Sequence, residues 1–261
     1  MVVAAAGLLN YPASYTQQVA VPADQWADRL AVDRAALDRG STAERVAEVL
    51  RTRITEGVLA PGTRLSEEAL TAALGVSRNT LRESFRLLGH EGLLVHELNR
   101  GVFVRLLNVD DVRDLYRIRR ILEFAAVQSA AGAAPAKMDR IREAVESAEA
   151  AAAAGDWVRV GTENMRFHQA VAALAGSPRV DETMRRVLAE LRLVFHVMQA
   201  PREFHEPYLR NNREIYQLLA VGQTLAAAAA LASYLDAAER QLVDAYVSRQ
   251  AEPAPARRVP A

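Results

Sequence analysis

The sequence predicts a mainly α fold in two parts. A winged helix-turn-helix of three helices and a two-stranded wing comes first, and an all-α bundle of six helices follows. Three observations carry this. Leu65 to Phe85, L-S-E-E-A-L-T-A-A-L-G-V-S-R-N-T-L-R-E-S-F, holds two apolar stripes separated by a Gly turn, which is the helix-turn-helix pattern. Two short β-forming segments flank Asn99-Arg100-Gly101, residues suited to a tight turn. From Asp110 onward apolar residues recur at steps of three and four, the period of helices alone.

Residues 1–40 read as an extension, partly disordered, in which Pro22 to Arg39 forms a helix with Ala23, Trp26, Leu30 and Leu37 loosely on one side. Residues 41–106 form the winged helix. Ser41 or Thr42 opens its first helix, Val46, Val49, Leu50 and Ile54 make the buried stripe, and Gly57 closes it before the Pro61-Gly62 turn. Ser66 is a good N-cap, with Glu67 and Glu68 in the first turn, where the helix dipole favours acids. Leu70 and Leu74 face the core, and Gly75 ends that helix because Gly takes a positive φ without steric penalty. Ser77 caps the next helix, with Leu81, Phe85 and Leu88 on its apolar side and Gly92 at its end. Leu93 to Val95 begins one wing strand, and Val102, Phe103 and Val104 form the other. Leu106 to Val109 is a short linker.

The bundle occupies 110–250. One stripe runs through Leu115, Ile118, Leu122, Ala125 and Ser129, and Lys137–Ala154 adds a second helix. Trp157, Val160, Asn164, Phe167, Val171 and Leu174 mark the third, and Val180, Met184, Val187, Leu191 and Phe195 the fourth. Pro207–Val221 and Thr224–Arg249 are the last two, around Leu209, Ile215, Leu219, Leu231, Leu235 and Leu242. Cavities between bundle helices are common ligand sites. The Pro- and Ala-rich tail 251–261 reads as disordered.

Composition narrows the function. With 32 basic and 32 acidic residues the chain is not a globally basic nucleic-acid binder. Residues 41–107 hold nine Arg against eight Glu, so any DNA affinity rests on placed arginines rather than bulk charge. The absence of Cys excludes disulfides and thiolate metal sites. No Lys or Arg precedes Arg29, Val2 to Leu9 is short, and the run Leu225–Ala232 is far below a membrane span. A soluble, cytoplasmic protein is expected. No Gly-rich phosphate loop, G-x-S-x-G or H-E-x-x-H occurs, so no catalytic constellation stands out and an enzyme is not expected.

The helix opened by Ser77 carries Arg78, Asn79, Thr80 and Arg82 at its start, where a recognition helix reaches bases and phosphates. Arg100 sits at the wing tip. The motifs G-V-L-A-P-G-T-R-L at 57–65, G-V-S-R-N-T-L-R-E at 75–83, L-L-G-H-E-G-L-L at 87–94 and N-R-G-V-F-V at 99–104 resemble the GntR family of bacterial transcription regulators. The resemblance implies double-stranded operator DNA as partner and a candidate contact set of Arg64, Ser66, Ser77, Arg78, Asn79, Thr80, Arg82, Arg100 and Gly101.

The second half is similar to the FCD ligand-binding domain of the FadR subfamily, through D-L-Y-R-I-R-R-I-L-E at 114–123, F-H at 167–168 and G-S-P-R-V at 176–180. The resemblance implies, for many such domains, a divalent metal on one Asp and three His. At those places this chain has Asn164, His168, Asn212 and Tyr234. Only His168 is retained, and a neutral amide is a poor substitute for carboxylate or imidazole. No metal and no cofactor are therefore expected. Arg119, Asn164, His168, His196, Asn212 and Tyr234 remain as effector-binding candidates. Asn164, His168, Asn212 and Tyr234 either satisfy one another or bind a ligand.

The reading is a homodimeric DNA-binding repressor released from a palindromic operator by a small-molecule effector. An acyl-CoA or lipid-like effector is favoured over a small carboxylate anchored by Arg119. The competing reading is a ligand-binding helical protein whose winged helix makes protein contacts instead of DNA contacts.

Overall fold

The computed structural model describes residues 42–132, 134–195 and 201–251. The helix expected over Pro22 to Arg39, His196, and all but the first residue of the expected tail lie outside them.

Helix α1, Thr42–Thr55, buries Val46, Ala47, Leu50 and Ile54. Strand β1, Arg64–Leu65, precedes α2, Glu67–Leu74, and α3, Arg78–His90. Ser66 caps α2 by accepting from the Ala69 amide at 3.3 Å, and Gly75 ends it at φ 67° with its N–H on the Thr71 carbonyl. Ser77 caps α3 by accepting from the Thr80 amide at 3.1 Å. Leu81, Phe85 and Leu88 face the core, as their spacing requires.

Strands β2, Leu94–Glu97, and β3, Gly101–Val104, form the wing. Between them Asn99 takes φ 61° and Gly101 φ 108°, conformations open to Asn and Gly. The two-stranded wing expected from sequence is in fact the outer part of a three-stranded antiparallel sheet in the order β1-β3-β2. Arg64 pairs with Phe103 and Leu65 with Val102. A two-residue strand has no periodicity of its own and is defined only by its distant partner.

Six helices follow: α4, Val109–Gln128; α5, Pro135–Ala153; α6, Trp157–Ala172; α7, Pro178–Val194; α8, Pro201–Ala220; and α9, Thr224–Ala251. Helix α4 starts inside the segment read as a linker. Asn108 accepts from the Asp110 and Asp111 amides while the Asp111 carboxylate accepts from the Asn108 amide, a reciprocal cap. Helix α8 starts at Pro201 rather than Pro207, which lies inside it. An internal Pro costs a helix about 3 kcal/mol, and burial of Phe204 and Tyr208 on either side offsets that.

A continuous apolar core runs from α1 and the wing through Leu107 and Val112 into the bundle. A polar contact also joins the two parts. The Arg105 guanidinium, just past β3, donates to Glu190 of α7 at 2.6 Å and to Asp111 of α4 at 3.2 Å. Burial raises the Glu190 carboxyl above its ordinary value, with Arg105 opposing. Gly92, at φ 75°, lies so close to Glu190 that an added Cβ would collide with its carboxylate.

Candidate DNA interface and sensor cluster

The first candidate site is the exposed start of α3 and the adjoining wing. Arg78 and Asn79 are exposed, and Arg78 makes no ion pair with any described residue. Ser77 and Thr80 are occupied with each other, hydroxyl to hydroxyl at 2.8 Å. Ser66 is likewise engaged as the α2 cap. Arg82 is exposed but not free, because its Nε donates to both carboxylate oxygens of Glu67 at 3.0 and 3.1 Å. Arg100 pairs with Glu97 and lies 5.4 Å from the Phe103 ring centre. Arg64 is exposed on β1, its Nε 3.5 Å from where a Gly101 Cβ would stand. The structure thus brings Arg64, Arg100 and Gly101 to the wing and Ser66, Ser77, Arg78, Asn79, Thr80 and Arg82 to the helix-turn-helix.

Between α3 and the wing lies a cavity of about 840 Å³ lined by Asn79, Arg82, Arg86, His90, Val95 and His96, among others. Sequence reasoning missed Arg86, His90 and His96. The signal was available for two of them, since Arg82, Arg86 and His90 step by four along one helix face. Glu67, as partner of Arg82, had no such signal.

The second candidate site is buried between α4, α6, α8 and α9. Arg119, Glu123, Asn164, His168, Asn212 and Tyr234 are each at most 5% exposed. Arg119 Nε donates to Glu123 Oε1 at 2.9 Å, and His168 Nδ1 lies 2.7 Å from Glu123 Oε2. Asn164 Oδ1 accepts from Asn212 Nδ2 at 2.7 Å and from the Tyr234 hydroxyl at 3.1 Å. The Tyr234 and His168 rings meet edge-on with centres 4.9 Å apart, which joins the two halves of the cluster.

Burial lowers the His168 pKa from its ordinary value, despite the opposing Glu123 charge. Its imidazole is therefore neutral near pH 7, with Nδ1–H donating to Glu123. Burial alone would raise the Glu123 carboxyl, but its His168 and Arg119 partners outweigh this and hold it below its usual range. Burial likewise keeps the Tyr234 phenol protonated.

The four positions named by the family's metal site converge here, but they do not fit a divalent ion. Asn164 Oδ1 already accepts two hydrogen bonds, Tyr234 holds its proton, and His168 offers one nitrogen. Among the described residues no group of three or more His, Cys, Asp and Glu is placed to hold a metal. Three polar atoms of the cluster nonetheless lack any partner: Arg119 Nη2, His168 Nε2 and Asn212 Oδ1. His205, of the same helix as Asn212, has an unpartnered Nδ1. Its Nε2 sits 2.8 Å from where a Gly161 Cβ would stand, so the close approach of α8 to α6 there requires Gly.

A winged helix coupled to a helical bundle with a buried polar centre defines a regulator with a sensor domain. Comparison with known proteins agrees. Residues 42–104 match the model of bacterial regulatory proteins, gntR family, and residues 114–237 match the FCD domain. The chain is 33% identical over 155 residues to the Nta operon transcriptional regulator of Aminobacter aminovorans, covering 57% of this chain and 71% of the relative. It is 38% identical over 87 residues to the gluconate operon transcriptional repressor of Bacillus licheniformis, 33% of this chain and 35% of that one. A structural-genomics crystal structure assigned to the GntR regulators, from Rhodococcus sp. RHA1, superposes with a TM-score of 0.73 at 48% identity, covering 79% of this chain and all of that one.

The chain belongs to the GntR family. It is a transcriptional regulator with an FCD domain, not an enzyme. Among the described residues no helix is long and apolar enough to cross a membrane.

Proposed function

We propose that this protein is a homodimeric repressor that leaves a palindromic operator when a small molecule enters the cluster around His168. The observation that carries the reading is the pairing of an exposed, uncompensated Arg78 at the start of α3 with a buried cluster holding three unpartnered polar atoms. The first suits base or phosphate contact. The second is what a ligand would complete. One recognition helix reads only a few base pairs, so a two-fold protein on a two-fold site is the economical arrangement. Repression is drawn from the gluconate operon repressor, which is similar over 87 residues of this chain.

A physical route between the sites supports release by a ligand. Helix α6 carries Asn164 and His168, and its Thr162 hydroxyl accepts from Arg192 of α7 at 2.8 Å. Two residues earlier on α7, Glu190 holds Arg105 beside the wing. A shift of α6 against α7 therefore reaches the wing through Arg105 and Gly92.

Of the two effector classes drawn from sequence, the small carboxylate loses support, because Arg119 is already neutralised by Glu123. The lipid-like class finds aromatic rings beside the cluster, Phe167 against His168 and Tyr208 against Tyr234, but an alkyl chain has no group for the three unpartnered polar atoms. The test is fluorescence anisotropy of the full chain on DNA from its own promoter, with candidate effectors added to the complex. Salt-sensitive, sequence-selective binding that an effector reverses supports the reading. Binding indifferent to sequence and to every effector would contradict it.

A further inference from the structure

The buried cluster also specifies what kind of molecule would complete it. This inference rests on the reading of the cluster as the effector site. Each unpartnered atom has a defined role. Arg119 Nη2 can only donate. His168 Nε2 can only accept, since the ring is neutral and its proton is on Nδ1, facing Glu123. Asn212 Oδ1 accepts, since its amide nitrogen is used on Asn164 Oδ1, which also takes the Tyr234 hydroxyl. A single partner that met all three would supply two donors and one acceptor.

Charge narrows the class further. Arg119 and Glu123 form a buried ion pair at 2.9 Å, each at most 1% exposed in its side chain, and so cancel. A carboxylate brought beside them would be a second buried anion with no cation of its own, which desolvation strongly disfavours. An alkyl chain satisfies desolvation but leaves all three polar atoms unpartnered, and a buried unsatisfied donor or acceptor is unfavourable. A hydroxyl both donates and accepts without charge. Aromatic rings border the cluster as well. Tyr116 stacks under the Arg119 guanidinium at 4.9 Å, and Tyr208 and Tyr234 stand with ring centres 4.6 Å apart, so C–H faces would meet aromatic rings.

We infer that the cluster of Arg119, His168 and Asn212 binds an uncharged, hydroxyl-bearing small molecule, of the polyol or sugar class, through those three unpartnered atoms.

The experiment is thermal shift and calorimetry on the full-length protein with matched pairs on one carbon skeleton. Glycerol is set against glycerate, glucose against gluconate, and xylitol and myo-inositol are added as uncharged probes. Palmitoyl-CoA serves as the lipid arm. Native mass spectrometry of freshly purified protein runs alongside, to catch an uncharged hydroxylated ligand that co-purifies.

The expected result is saturable binding of an uncharged member, a melting point raised by several degrees, and no response to its acid. Asn212→Leu should abolish this while circular dichroism shows the helices of the free protein retained. If that variant fails to fold, the His168 Nε2 signal in nitrogen NMR replaces it and should move on ligand addition. Response to an acid or to palmitoyl-CoA alone, with cluster variants abolishing it, would overturn the ligand class but keep the effector-site reading. Binding unaffected by Asn212→Leu and silent at His168 Nε2 would overturn both. No response to any uncharged probe, with none co-purifying, overturns the inference.

Discussion

Arg82 of α3 and Glu67 of α2 hold each other across the helix-turn-helix, Nε to both carboxylate oxygens at 3.0 and 3.1 Å. The Glu67 partner raises the Arg82 pKa, so its charge is never in question. What the contact changes is availability. A phosphate or base edge must compete with Glu67 for this guanidinium, while Arg78 four residues earlier has no competitor among the described residues.

Glu67→Gln should therefore strengthen DNA binding. Exposed pairs are weak, so the gain is modest, roughly two- to fivefold in affinity at low salt, and it fades as salt rises. Anisotropy at two ionic strengths checks it. Unchanged affinity at both would mean that Arg82 does not reach DNA.

The helix ends of this domain were legible because capping is local. Ser66, Gly75 and Ser77 act within three or four residues of their own positions. The Arg82–Glu67 contact spans 15 residues and the Glu123–His168 contact 45, and no period in the sequence announces either. The same reason explains β1. For the bundle, the sequence named Arg119, Asn164, His168, Asn212 and Tyr234, which the fold buries together, but it carried no signal for their bonding. Read without Glu123, Arg119 is an anchor for a small carboxylate and His168 a candidate ligand contact. Glu123, bridging the two, neutralises the first and leaves the second one open nitrogen.

Acid should destabilise the protein in a defined window. Burial, with Arg192 adding to it, pushes the His205 pKa down to about 4, and burial lowers His168 too. Both contribute stability that is present above about pH 6.5, their unfolded value, and lost as pH falls through the folded value. For His205 the loss is on the order of 3 kcal/mol once pH 4 is passed. Denaturant melts from pH 7 to pH 4 should show the decline, and His205→Gln should flatten part of it. A flat profile in wild type would mean that His205 is solvated.

Arg105 should carry the link between sensor and wing. Arg105→Ala removes its bonds to Glu190 and Asp111 without touching α3 or the His168 cluster. We expect operator affinity near wild type, effector affinity near wild type, and a marked loss of effector-driven release. Measuring all three on one preparation separates loss of coupling from loss of fold. Full release by the variant would remove Arg105 from the route.

Metal should play no part in the folded state. Elemental analysis of protein purified without chelator should give well under one equivalent of zinc, nickel or manganese per chain, and chelator should leave the melting point unchanged. The reason is chemical. Asn164, Asn212 and Tyr234 supply two amides and a protonated phenol, already bonded to one another, where a transition ion needs imidazole or carboxylate. Stoichiometric metal lost on His168→Ala would contradict this.

In the proposed function α3 reads operator DNA through its first turns. The most direct measurement is a salt titration of binding to DNA from the protein's own promoter, for wild type, Arg78→Ala and Arg82→Ala, with circular dichroism on each. Wild type should bind with a steep negative dependence of log affinity on log salt, near 0.9 per phosphate contacted. Arg78→Ala should lose roughly tenfold or more in affinity and its preference for operator over unrelated DNA. Arg82→Ala should weaken binding as well, all with unchanged helix content. If both variants bind the operator like wild type, at every salt concentration, α3 is not the recognition helix and the account fails.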